Sequence, residues 1–151
     1  MVVLVDTNVV IDFLTTREPF YEASSKVIMK CASEEIEGHI AIHSIPNLWY
    51  ILRKTSEEKR RKWLLDICEF LRVEGVRHED VVKAIGMADF KDFEDCLQDR
   101  CAEGIGADYI ITRNAKDFGG STVPAVSPEE FLEVASDKSV SDNPVTKRFL
   151  E

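Results

Sequence analysis

Asp6, Asp92, Asp95, Asp99 and Asp117, with Asn8, Thr112 and Asn114 beside them in the chain, are the residues whose types and spacing could do chemistry. All offer oxygen. Asp6 ends the run Val2-Val3-Leu4-Val5, and Asn114 and Asp117 follow the run Tyr109-Ile110-Ile111-Thr112. Between them, the stretch from Asp89 to Asp99 is crowded with acids. At about 100° per helical residue, Asp92, Asp95, Asp99 and Glu103 fall within roughly an 80° arc, beside an apolar sector formed by Phe93, Cys96, Leu97 and Cys101. Unit charges about 4 Å apart repel by about 4 kcal/mol at an effective dielectric near 20, so the row needs water or a cation. Oxygen ligands without thiolate or imidazole suit Mg²⁺ or Mn²⁺ rather than zinc. Carboxylate clusters that hold such ions hydrolyse phosphodiesters, with water as nucleophile. The plainer alternatives are a solvated helix face for the row and a turn or N-cap role for Asp6.

The elements around these residues supply rigid supports. A β-branched run that stops at an acid is what a strand buried on both faces does at the carboxyl end of a parallel sheet, the edge at which open α/β sheets keep their sites. Thr7 and Asn8 are placed to turn the chain and cap a helix. A second helix opens at Pro19 and ends near Glu34, and Gly38 to Ile42 is a short strand. Ser44 caps a third helix with an apolar face of Ile45, Leu48, Trp49 and Leu52, and a fourth turns Trp63, Leu64, Ile67, Cys68 and Leu71 inward. A strand from Leu71 to Val76, a helix from His78 to Met87, a helix from Asp92 to Glu103 stopped by Gly104 and Gly106, a strand at 109–112, a short strand at 124–126 and a helix capped by Ser127 complete the order. Strands alternating with helices imply a three-layer α/β/α sandwich around a mostly parallel sheet of four to five strands. The domain is expected over residues 1–135. Residues 136–151 form a polar tail whose Phe149 and Leu150 could dock on this chain or a partner.

Composition bounds the function. With 151 residues, 44% of them hydrophobic, the chain has enough material for one cored domain. No apolar run reaches the roughly 20 residues a membrane helix needs, and the first strand begins at once, so a soluble cytoplasmic protein without membrane contact is expected. Cys31, Cys68, Cys96 and Cys101 lack CxxC spacing and read as buried free thiols; His39, His43 and His78 are scattered and read as no ligand set. The net charge of −9 does not exclude a polyanionic substrate if metal ions supply positive charge where phosphate sits. Arg53, Lys54, Lys59, Arg60 and Arg61, with Arg113 beside the acids, are candidate contacts to a polyanionic backbone, although Glu57 and Glu58 partly balance the run as in a solvated helix end.

VDTNVVID, DFEDCLQDRCA and ADYIITRNAKDF, in that order and spacing, resemble the PIN-domain family from Val2 to Phe131. Many of its members are metal-dependent ribonucleases, including VapC-like toxins of toxin–antitoxin pairs. The resemblance implies that Asp6, Asp95 and Asp117 are catalytic metal ligands for Mg²⁺ or Mn²⁺. Asp92 and Asn114 would complete the ligand set, and Asn8, Asn47, Asp99 and Thr112 would be accessory polar groups. It also implies RNA as substrate, with its backbone as the polyanion the basic residues would contact, a small antitoxin as partner and a homodimer as a form such domains take. The family often carries Glu on the helix after the second strand, and Asn47 stands there instead.

Two other classes fit parts of the pattern. A non-catalytic PIN-like module that binds RNA or protein would tolerate Asn47 and Asn114. A haloacid-dehalogenase-like phosphatase also begins with a strand ending in Asp, but expects a second Asp two residues on, where Asn8 stands.

Overall fold

The structure, a computed structural model, describes residues 1–135; the expected tail, with Phe149 and Leu150, lies outside them. Five strands, β1 (Val2–Val5), β2 (Glu37–Ala41), β3 (Arg72–Glu74), β4 (Tyr109–Ile111) and β5 (Ala125–Val126), form one sheet in the order β3-β2-β1-β4-β5, every neighbouring pair parallel. The chain leaves β1 toward β2 and β3, then crosses back to lay β4 on the other side. The register sets Val5 beside Ile111, so the residues that follow, Asp6 and Thr112, emerge together at the carboxyl edge. A reversal of strand order opens a crevice at that edge.

Among the described residues seven helices cover the sheet: α1 (Thr7–Leu14), α2 (Tyr21–Ala32), α3 (Ser44–Ile51), α4 (Glu57–Phe70), α5 (His78–Ile85), α6 (Phe93–Gly104) and α7 (Pro128–Val134), with a 3₁₀ turn at Ala115–Phe118. Alternate strand residues face opposite layers. Val3, Val5, Ile40 and Ile111 pack against α1, α2, α3, α4 and α7 through Val9, Phe13, Val27, Ile28, Leu48, Ile67 and Phe131. Leu4, Ala41 and Ile110 face the other way, onto Cys101 and Ala102 of α6 and onto Phe118 and Val123. The three-layer sandwich expected from the strand–helix alternation is what forms. β2 packs tightly on α2 at Gly38, where a Cβ would lie 2.5 Å from the Cys31 sulfur and 2.6 Å from a Leu71 methyl.

Local signals set the element ends. At Ser127 and Glu130 the capping box forms in both directions, with Pro128 opening α7. The end of α6 is a Schellman turn: Gly106 takes φ +67° and donates to the Glu103 carbonyl, while Ala107 donates to that of Ala102. Three expectations need correction. The helix after β1 starts at Thr7 itself, so Thr7 and Asn8 are helical rather than capping residues, and Asp6 holds the N-cap position without a side-chain cap bond. Ser44 is likewise the first helical residue, after His43 at the N-cap. Finally, Cys68 is exposed rather than buried, because α4 turns Asp66, Ile67 and Phe70 inward and leaves Leu65 and Cys68 outside.

Candidate active site

Asp6 stands at the floor of a cleft of about 610 Å³ at the carboxyl edge of the sheet. Although its carboxylate is buried, it is satisfied from three segments. Its Oδ1 accepts from Gln98 Nε2 of α6 at 2.7 Å. Its Oδ2 accepts from Thr112 Oγ1 at 2.7 Å and from Asn8 Nδ2 at 3.0 Å. The buried Thr112 hydroxyl also accepts from Asn8 and from the Asn114 N–H, and the Arg113 N–H donates to Asn8 Oδ1. The bonded network locks Asp6 and the loop after β4 in one arrangement.

Asp92, Glu94 and Asp95 enter the cleft from the start of α6, and Asn114 and Asp117 from the 3₁₀ turn and the residue before it. Asp92 caps α6 by accepting from the Glu94 N–H at 2.8 Å. Burial pushes the Asp95 carboxyl up to about 7, with Asp6, Asp92, Asp117 and Glu94 adding repulsion. A carboxyl in a cleft raised by both burial and like charges is a candidate functional group. Glu94 is raised in the same way, chiefly by burial and despite a hydrogen bond from Asn47 Nδ2 at 2.7 Å. Asn47 thus contributes no charge of its own but holds one: Glu94, from another helix, brings a carboxylate to that side of the cleft. His43 lies just behind, where burial pushes its imidazole down against the pull of Asp6.

The cleft gathers Asp6, Asn8, Asn47, Asp92, Asp95, Asn114 and Asp117 in its walls, with Thr112 beneath. Asp99 goes elsewhere. It is fully buried one turn below Asp95, where it accepts from Ser121 Oγ, from the Thr122 N–H at 3.0 Å and from Arg100 at 2.9 Å. Burial pushes its carboxyl up, but these donors prevail and hold it below the usual range. The expected row therefore splits: Asp92 and Asp95 face the cleft, Asp99 pins the loop before β5, and Glu103 pairs with Arg100.

The basic candidates also divide. Arg113 is tied to the buried Asp12 at 2.6 Å and lies over the Phe20 ring, largely out of solvent. Arg60 and Arg61 lie over Trp49, Lys59 lies over Trp63, and Arg61 also pairs with Glu57. Arg53 lies over Tyr50, and Lys54 is exposed next to it. None of the six lines the cleft; the cation that does is Lys91. Sequence reasoning passed over Lys91, Glu94, Gln98 and Tyr50. For Gln98 a signal existed, since it lies three residues after Asp95 and so on the same helix face.

Among the described residues, no three acidic, imidazole or thiol side chains already encircle one point at ligand distance. The donor set still fits a hard divalent cation: every group offers oxygen, two carboxyls are raised by burial and then by like charges beside them, and Asp6 is fixed in orientation by its donors.

Residues 2–116 match the family model of the PIN domain. Among curated proteins none matches. The fold is similar to VapBC2 from Rickettsia felis, solved bound to a DNA fragment from its promoter, with a TM-score of 0.64 at 14% identity over 84% of this chain and 98% of that one. It is also similar to a toxin–antitoxin complex from Klebsiella pneumoniae, with a TM-score of 0.63 at 19% identity over 83% of this chain and 97% of that one. With the family model spanning most of the chain and the carboxylate cleft at the expected edge of the sheet, the chain belongs to the PIN-domain family.

Proposed function

We propose that this chain is a divalent-metal-dependent endoribonuclease that hydrolyses RNA phosphodiester bonds and serves as the toxin of a toxin–antitoxin pair. The observation that carries the reading is the convergence of Asp6, Asp95 and Asp117, from three separate segments, on one cleft. These residues would hold Mg²⁺ or Mn²⁺, with Asp92 and Asn114 as further ligands or as partners of bound water. The ion, when bound, lowers the pKa of water and stabilises charge on the scissile phosphate.

The chain's own groups prepare that site. Gln98 and Thr112 fix Asp6 by donating to both its oxygens. Asn47 holds Glu94 at the rim. Burial and the neighbouring carboxylates raise the Asp95 carboxyl to about 7, and a cation held there would favour its ionised form. Lys91 offers the positive charge in the cleft wall that a phosphate needs.

The similarity of the fold to proteins solved as toxin–antitoxin complexes supports a small antitoxin partner, and a second copy of the chain is a further expected partner. A short reading frame beside the gene would be the first sign of the antitoxin. The direct test is calorimetric titration of Mn²⁺ and Mg²⁺ into the wild type and Asp95→Asn, followed by an RNA cleavage assay on both. The wild type is expected to bind and cleave, and the variant to lose both. Absence of metal binding in the wild type would move the non-catalytic RNA- or protein-binding reading ahead.

A further inference from the structure

We infer that Tyr50 and Arg53 form a base-stacking subsite on the lip of the carboxylate cleft, so that nucleic acid reaches the acids as an unpaired strand. The inference rests on the proposed reading that the cleft takes RNA, and adds how the strand is held there.

α3 sets the geometry. Asn47, Tyr50 and Ile51 lie at i, i+3 and i+4, on one face of the helix, and all three line the cleft. Asn47 holds Glu94 within the cleft, and Tyr50 sits one turn further out, about 5 Å along the axis. The tyrosine is 65% exposed, and Ile51 beside it is 45% exposed. Large side chains left uncovered at the mouth of a strongly acidic cleft are not there to pack against the core.

The ring is also prepared for one kind of neighbour. The Arg53 guanidinium lies 4.2 Å from its centroid and is held there by a hydrogen bond to the Tyr50 carbonyl at 3.1 Å. One ring face is thus covered by a cation while the side chain stays mostly open to solvent. Stacking on aromatic rings, with arginine beside them, is how proteins hold unpaired bases, and it tolerates any base because each has a π-face. Bases inside a duplex have both faces covered and cannot use the platform. The remaining guanidinium N–H groups and the adjacent, exposed Lys54 offer phosphate contacts beside the ring.

The test measures binding by fluorescence anisotropy in an Asp95→Asn background without added metal, so that neither the ion nor cleavage intervenes. The probes are a short labelled single-stranded RNA, the same RNA annealed to its complement, and a series carrying one abasic nucleotide at each position. Replacing Tyr50→Ala in that background is expected to weaken single-strand binding by about 10–100-fold, while Tyr50→Phe, which keeps the ring, stays within about 2-fold. One abasic position should reproduce the loss, and on that RNA the Tyr50→Ala protein and its parent should bind alike. Equal affinity of the Tyr50→Ala protein for the intact strand, a loss at no particular abasic position, a duplex bound as tightly as the single strand, or no single-strand binding by the parent would each overturn the subsite. Wild-type cleavage, assayed in parallel, separates the two readings. Tyr50-dependent binding without cleavage defeats the nuclease and leaves the subsite standing; cleavage indifferent to Tyr50 does the reverse.

Discussion

Asp95 shows at the scale of one residue what crowding carboxylates into the cleft does to stability. Its carboxyl is raised by burial first and then by Asp6, Asp92, Asp117 and Glu94, so the folded chain binds its proton more tightly than the unfolded chain does. Between the unfolded value near 4 and the folded value of about 7, stability from this group therefore falls as pH rises. A rise from 3.8 to about 7 converts to about 4 kcal/mol, and screening at a half-buried side chain reduces that to about 1–2 kcal/mol. Asp95→Asn should accordingly raise the melting temperature of the metal-free protein at pH 8 and leave it nearly unchanged at pH 4, as thermal scans at the two values would show. An equal shift at both would separate the stabilisation from the proton. Thr112→Val acts in the opposite sense: it removes a donor from the buried Asp6 carboxylate and should lower stability by about 1–3 kcal/mol in denaturant titration, together with metal affinity. Asp6, Asp92, Asp95 and Asp117 stand out in the sequence because each follows a buried strand or opens a helix. Glu94 and Gln98 do not, because their roles depend on Asn47 and Asp6, 47 and 92 positions away.

At the scale of elements, the strands were the most readable part of the chain. β1 and β4 are unbroken apolar runs since both faces are covered, and their pairing follows from the need to bury them together. Helix faces were less readable where aromatic and cationic side chains meet. Periodicity alone assigns Trp63, Leu64 and Cys68 of α4 to the core; Trp63 and Leu64 do pack against it, partly buried and with Lys59 over the Trp63 ring, while Trp49 is met by Arg60 and Arg61 and Cys68 faces out. The long cationic side chains cover apolar surface that would otherwise have needed the core. The same limit applies to Asp99, whose partners come from the loop before β5 and leave no mark on α6. Close packing between elements makes a separate prediction at Gly38. The added methyl of Gly38→Ala would meet Cys31 and Leu71 at distances real Cβ atoms essentially never show, which should destabilise the fold by about 1–3 kcal/mol. Because β2 there is remote from the cleft, RNA cleavage per folded molecule should stay at the wild-type value. Parallel denaturant and activity measurements check this: activity should fall only in proportion to the unfolded fraction.

For the molecule as a whole, the net charge of −9 sets how a polyanion can be held at all. The acids of the cleft repel it, and most of the cations expected to hold it lie away from the cleft walls, Arg113 pairing with Asp12, Arg61 with Glu57, and Arg60 and Lys59 over tryptophan rings. Those left near the cleft are Lys91 in its wall, Arg53 on its lip and Lys54 next to it. About three phosphate contacts on a single strand correspond to a slope near −2 in log K against log salt, shallow beside the slopes of strongly basic nucleic-acid binders. Lys54→Ala combined with Lys91→Ala should flatten that slope by about 1.4, at about 0.7 for each phosphate no longer neutralised. Lys59→Ala combined with Arg61→Ala should leave it unchanged, since those side chains serve α4 rather than the strand. Binding titrations of single-stranded RNA across a salt series decide between them: if the α4 pair flattens the slope and the cleft pair does not, the strand runs over α4 and the assignment of the cleft cations is wrong.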